Sequence, residues 1–170
     1  MGIVPAQPLP GVVPRRPRRH VRAATVAALV GAPLLAACAP TISVPPGENA
    51  TDPTCAAVVL ATPEELGGLP RLDTDSQATT AWGEPQRAIT LRCGVPALGP
   101  TTDQCQTITT ASGTAVDWVV RQEVETEDWI FTTYGRNPAV EVRVPPDVPT
   151  TPVVDLNPAV VLAEQDRQCY

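Results

Sequence analysis

Four cysteines, Cys55, Cys93, Cys105 and Cys169, are spread through the C-terminal part of this 170-residue chain, and the segment ahead of them decides their oxidation state. That segment, Arg15 to Cys38, reads RRPRRHVRAATVAALVGAPLLAAC and has the layout of an export signal. A chain delivered outside the cytoplasm meets oxidising conditions, so an even number of cysteines reads as two disulfides. Each bridge stabilises a small domain by about 2–4 kcal/mol, a large share of its margin. Of the three pairings that four cysteines allow, the expected one is Cys93–Cys105, bracing neighbouring strands, with Cys55–Cys169 tying the two ends of the domain together. A four-thiolate metal site is the alternative, but no two of these cysteines have C-x-x-C spacing, so no metal is expected.

The signal divides into three parts. Arg15, Arg16, Arg18, Arg19 and Arg22, with His20 among them, form a basic start. Pro17 stands where a twin-arginine signal would carry an apolar residue, which weakens that route. Ala23 to Ala37 is an uncharged run of 15 residues. As a helix it would rise about 22 Å, short of the roughly 30 Å that a permanent span must cross. The run closes on Leu35-Ala36-Ala37-Cys38, which resembles a bacterial lipobox, with Cys38 as the residue that receives the lipid. Ordinary signal-peptidase cleavage within Ala37-Cys38-Ala39 is the competing reading, and the Leu three positions before the Cys favours acylation. Two acyl chains hold a protein durably on a bilayer, whereas one does not. The expected organisation is a lipoprotein signal peptide with its N-terminal extension over 1–37, an acylated flexible tether over 38–52, and one disulfide-braced domain over 53–170. The expected location is the extracytoplasmic face of the cell membrane, lipid-anchored, with plain secretion as the alternative.

Composition then removes whole classes of function. After residue 37 there remain 133 residues, enough for one domain, with 7 Arg against 18 acids and a net charge of −11. Such a surface repels nucleic-acid phosphates, so no nucleic-acid partner is expected. The same 133 residues contain neither His nor Lys. Ser-His-Asp and Cys-His mechanisms, Schiff-base lysines and His-containing zinc sites each lose an essential member, and no cofactor is expected.

Along the chain, Pro45-Pro46-Gly47 within 39–51 carries no repeating apolar face and reads as tether. Asp52-Pro53 predicts a helix start, with Cys55, Val58 and Val59 on its inner stripe. Thr62-Pro63-Glu64-Glu65 has the form of a capping box for a second short turn ending at Gly67-Gly68, and 73–80 reads as a polar loop. From Arg87 the apolar period becomes two, predicting strands near 89–93, 106–110, 115–120, 129–134 and 139–144. Pro145 to Pro152 reads as a rigid linker, and Asn157-Pro158 as the start of a closing helix that runs toward Cys169. The expected fold is α+β: a small antiparallel sheet of four to five strands packed by an N-terminal and a C-terminal helix.

Three segments are distinctive in combination: Ala81-Trp82-Gly83-Glu84-Pro85, Leu91-Arg92-Cys93-Gly94-Val95-Pro96, and Phe131-Thr132-Thr133-Tyr134-Gly135-Arg136 leading into Val140-Glu141-Val142. With the lipobox ahead of them, over roughly 53–165, the chain resembles an actinobacterial family of secreted proteins and lipoproteins, domain of unknown function 3515. The resemblance implies a cell-envelope protein of GC-rich Gram-positive bacteria. It implies no activity, substrate or catalytic residue.

Candidate binding residues are Trp82, Glu84, Arg92 and Arg136. Trp82-Gly83-Glu84-Pro85 has the make-up of a shaped pocket rim, against the plainer reading of a tryptophan plugging the core. Arg92 and Arg136 would form an anion site if their strands were neighbours, against plain pairing with Glu84, Glu141 or Asp117. Glu123, Glu125, Glu127 and Asp128 lack the spacing of a calcium loop and read as a solvated hairpin tip. A carboxylate pair such as Glu84 with Asp117 would need a cleft between them, and no residue is assigned a catalytic role. The function expected is a non-catalytic binding module held to the membrane, with an envelope protein or cell-wall component as partner. The alternatives are a small carboxylate-based hydrolase and an anion or metal receptor.

Overall fold

Asp52 accepts a hydrogen bond from the Thr54 amide at 2.8 Å, and Pro53 fills the first position of α1 (Pro53–Ala61), as the cap pattern requires. The computed structural model describes residues 41–170, so Cys38 and the signal lie outside the described residues. α1 buries Cys55 and Val58. Beyond it the expected second helical turn is replaced by a β-hairpin, β1 (Glu65–Leu66) with β2 (Leu69–Leu72). Gly67 and Gly68 have φ of 59° and 80°, and a two-residue loop with both φ positive is the hairpin turn whose twist matches its strands. The glycine pair therefore reverses a strand and does not stop a helix.

β3 (Thr79–Trp82) and β4 (Ile89–Val95) continue the meander, followed by β5 (Cys105–Thr109), β6 (Ala115–Gln122) and β7 (Trp129–Thr133). The two-residue β8 (Arg136–Asn137) precedes β9 (Ala139–Val144), with a cis peptide between Asn137 and Pro138. A 3-10 helix (Thr151–Leu156), the short α2 (Asn157–Val160) and β10 (Glu164–Gln165) close the chain. Eight strands make one antiparallel sheet in the order β1-β2-β3-β4-β9-β7-β6-β5, and β10 pairs with β8 separately.

The expected fold class is thereby overturned. The protein is mostly sheet, with eight strands where four or five were expected, and the helices are short. Two segments account for the difference. Residues 65–82 pair as β1, β2 and β3, and the helix expected from Asn157 toward Cys169 stops at Val160.

Register sorts the side chains onto two faces. Leu91 lies opposite Val142 and Cys93 opposite Val140, which puts these residues on one apolar face with Trp82, Trp118 and Phe131. α1, the 3-10 helix and α2 cover that face through Cys55, Val58, Val153, Leu156 and Val160. Trp118 and Phe131 meet edge to face at 6.3 Å. Buried Asn157 secures the cover: its amide donates to the carbonyls of Ile108 and Thr114, and its oxygen accepts from Trp118 Nε1 at 3.2 Å.

The disulfides join Cys55 to Cys93 and Cys105 to Cys169, with Cα separations of 5.3 and 5.7 Å. This corrects the expected pairing. Cys93 points to the apolar face, under α1, whereas Cys105 lies on the same face as Asp117 and Val119, where the C-terminal segment passes. The two faces keep Cys93 and Cys105 apart.

Residues 41–52, expected as a free tether, are laid against the sheet. Ile42 bridges Thr74 in parallel, Val44, Gly47 and Ala50 are buried, and the Asn49 amide donates to Gly94 O at 2.8 Å. Gly94 sits at a register shift in β4 with φ of 87°, and a Cβ there would come within 2.4 Å of the Asn49 backbone. Only glycine lets the two chains approach so closely.

Non-reducing proteolysis followed by mass spectrometry should recover the linked peptides Cys55–Cys93 and Cys105–Cys169. A Cys93–Cys105 peptide would refute the arrangement. Replacing Cys55 and Cys93 together by Ala should lower the unfolding free energy in urea by about 2–4 kcal/mol.

Candidate functional site

Trp82 is fully buried, and its indole N–H donates to Pro63 O at 2.9 Å. It therefore fills the core and forms no pocket rim. Glu84, one turn later, is exposed at a recess of about 220 Å³ whose other walls include Leu69, Val148 and Pro152. The segment expected as a linker supplies part of this wall, and Asp147 pairs with Arg87 at 2.6 Å across it.

Arg92 lies on the polar face of β4, directly opposite Glu141 on β9. Its Nε and Nη2 reach the same Glu141 carboxylate oxygen at 2.9 and 2.8 Å. Glu141 is 9% exposed, so its charge is balanced where it is buried. Arg143, one residue-pair along, is gripped by Asp128 at 2.9 Å and Glu123 at 3.2 Å, the two ends of the acidic hairpin tip. Burial acts to lower the Arg143 pKa, but these two carboxylates overcome it and hold the guanidinium above its ordinary value. The three ionic residues border a recess of about 250 Å³ closed on one side by Ser43, Val44 and Pro45. Asp75 holds that strap: its carboxylate bonds to Ser43 and accepts from the Val44 amide at 3.2 Å, lowering its pKa below the ordinary 3.8.

Arg136 does not join Arg92. It is buried in β8, donates to Ala163 O, and reaches Gln165 Oε1 at 3.0 Å. Desolvation depresses its pKa and the charge of Asp117 opposes that depression. Asp117 is committed as well, accepting from Thr107 Oγ1 at 2.5 Å, Gln165 Nε2 at 2.9 Å and the Cys169 amide at 3.1 Å. Glu84 and Asp117 border different recesses, so the carboxylate pair is not assembled. Of the four candidate binding residues, Trp82 and Arg136 are structural, Arg92 is neutralised by Glu141, and Glu84 alone stands open to solvent.

A recess that the sequence reading did not single out is larger. Val120 and Phe131 are paired across β6 and β7, and with Trp129 they floor a cleft of about 510 Å³. Gln104, Gln106 and Ile108 border it on the β5 side, and Thr150, Thr151 and Val154 form the opposite wall. Trp129 is 36% exposed, whereas the other two tryptophans are fully buried with their N–H groups bonded. Alternation did place Trp129 and Phe131 on one face. That the helical cover leaves Trp129 partly exposed while Phe131 is buried depends on where the 3-10 helix begins, which periodicity does not encode.

Residues 21–169 match the family described as protein of unknown function (DUF3515). The chain belongs to the DUF3515 family. The match reaches beyond the 53–165 region that carries the distinctive segments, on both sides. Neither curated proteins nor solved structures gave a match. Within this DUF3515 chain the distinctive residues are braces: Cys93 is a disulfide partner, Gly94 admits the strap, Thr133 Oγ1 accepts from the Val140 amide at 2.9 Å, and Arg136 holds β10.

Two measurements check these contacts. Arg92→Met strands a buried carboxylate and should destabilise the domain by about 1–3 kcal/mol in a denaturant melt, with Glu141→Gln partly restoring the loss in the double variant. The lowered pKa of Asp75 favours its charged form in the folded state, so its contribution is present above the ordinary carboxylate value and lost as pH falls through the folded one. The Val44 amide resonance should therefore titrate with a midpoint below 3.8, and Asp75→Asn should show the displaced resonance already at neutral pH.

Proposed function

We propose that this DUF3515 protein is an exported, lipid-anchored binding module of the cell envelope, acylated at Cys38 and without a catalytic role. The observation that carries the reading is the closure of Cys55–Cys93 and Cys105–Cys169, which suits an oxidising compartment and agrees with the signal-like leader. Among the described residues no helix is long and apolar enough to cross a membrane; in this reading attachment is through the lipid on Cys38, and two acyl chains suffice to hold it. The non-catalytic part is supported by the missing His and Lys after residue 37 and by how its acids are used. Asp117 serves three donors, and Glu141 serves Arg92. Both carboxylates are thus occupied by groups of the protein itself. The partner sought is an envelope protein or cell-wall component.

Cys38→Ala should move the protein from the membrane fraction to the soluble fraction in cell fractionation. Unchanged retention would refute acylation as the anchor. Cross-linking in intact envelopes, followed by capture, should recover a discrete partner; recovery of the protein alone would count against a binding role.

A further inference from the structure

The recesses of this molecule differ in charge. The one beside Glu84 contains the Arg87–Asp147 pair, and the one beneath the strap contains Arg92, Glu141 and Arg143. At about 220 and 250 Å³ both are smaller than the roughly 300–1,000 Å³ of ordinary small-molecule sites. A recess of about 570 Å³ near the C-terminus is bordered only by residues 165–170, which include Asp166 and Arg167. The cleft over β5, β6 and β7 falls in the small-molecule range at about 510 Å³, and none of its nine lining residues is charged.

The lining chemistry narrows the ligand. The partly exposed Trp129 indole, with the largely buried Phe131 and Val120, makes the floor apolar, and an aromatic face is a surface on which the C–H face of a pyranose ring stacks. The rim supplies two primary amides, Gln104 and Gln106, and two hydroxyls, Thr150 and Thr151. Each amide offers both a donor and an acceptor, and each hydroxyl does the same, which matches the mixed donor–acceptor character of sugar hydroxyls. The side-chain hydrogen bonds found among the described residues do not use these four groups. An ionic ligand would find no countercharge here and would lose hydration on entry. A purely apolar ligand would bury the amides and hydroxyls without partners.

We propose that the Trp129 cleft binds a neutral saccharide chain, stacked on Trp129 and hydrogen-bonded by Gln104, Gln106, Thr150 and Thr151. This rests on the reading of the protein as a binding module and names its ligand class. The full chain, labelled with nitrogen-15, is titrated with cellotetraose and with tetra-N-acetylchitotetraose, and in parallel with an oligogalacturonate and an uncharged apolar peptide. The neutral tetrasaccharides should shift the Trp129 indole N–H and the side-chain amide resonances of Gln104 and Gln106. Affinity should fall about tenfold or more in Trp129→Ala and stay within a few-fold in Trp129→Phe, which keeps a ring on the floor. Gln104→Leu with Gln106→Leu should weaken saccharide binding while leaving the dispersion of the spectrum intact.

Absence of shifts with both neutral tetrasaccharides would overturn the proposal, as would binding that survives Trp129→Ala. Equal or tighter binding of the acidic oligomer would overturn it too. Binding of the apolar peptide at Trp129 in preference to sugar would overturn the ligand class and leave a binding module standing. A discrete partner captured from cross-linked envelopes, combined with no saccharide shifts, separates failure of this inference from failure of the reading beneath it.

Discussion

The pairing of β4 with β9 holds the two parts of this sheet together. On one side β1 to β4 form a meander, on the other β5, β6, β7 and β9 pair among themselves, and the ladder from Thr90–Arg143 to Val95–Ala139 is where they meet. The contact is far apart in sequence, so its formation carries a loop-closure cost before any apolar area is buried. Both faces of the seam repay that cost. Leu91, Val142, Cys93 and Val140 build the apolar side, and the Arg92–Glu141 pair with Arg143 occupies the other. Cys55–Cys93 pins α1 onto the seam from the apolar side, and the 42–50 segment docks at Gly94 at its end.

The C-terminus is fixed by a second set of contacts on the far side of the sheet. Asp117 gathers Thr107, Gln165 and the Cys169 amide, Arg136 holds Ala163 and Gln165, and Cys105–Cys169 closes the end covalently. Arg136 Nε is buried without a partner, a cost that its two other bonds and the nearby Asp117 charge offset. Of these residues Arg136 belongs to the distinctive segments, which also carry Cys93 and Gly94 at the other anchoring point. In this chain those three residues help tie both ends of the domain to one sheet, which is a scaffold role.

Period-two alternation located β4, β6, β7 and β9 to within a few residues, because apolar residues largely alternate there with polar or charged ones, even where both faces are buried. It could not find β2 and β3. Thr79, Thr80, Ala81 and Trp82 are all buried and do not alternate, and β2 exposes Pro70 and half-buries the rest. Gly67-Gly68 was ambiguous because positive φ serves both a helix C-terminus and a two-residue hairpin. The cysteine pairing was illegible for a related reason. Strand parity places Cys93 on the face of Ile89 and Leu91, but which face receives α1 and which the C-terminal segment is a matter of connection, not of pattern. Arg92 with Glu141 was among the pairs the sequence offered, whereas Arg136 looked like a surface fork because its burial depends on β10.

Charge explains why the Trp129 cleft stands apart. The described residues contain all 18 acids and the seven arginines that follow the leader. Arg71, Arg87, Arg92, Arg121, Arg143 and Arg167 each lie within salt-bridge distance of a carboxylate, and Arg136 is spent on Ala163 and Gln165. With every one of these guanidinium groups engaged, the remaining field is anionic and disfavours phosphates, acidic glycans and anionic lipid heads approaching the body of the domain. Exposed pairs of this kind add little stability. Their effect is on selection, because they leave an acidic surface in which the Trp129 cleft is uncharged. A neutral ligand crosses that surface without electrostatic cost and is then sorted by ring stacking and hydrogen bonding, the two interactions that the cleft's residues are equipped to make.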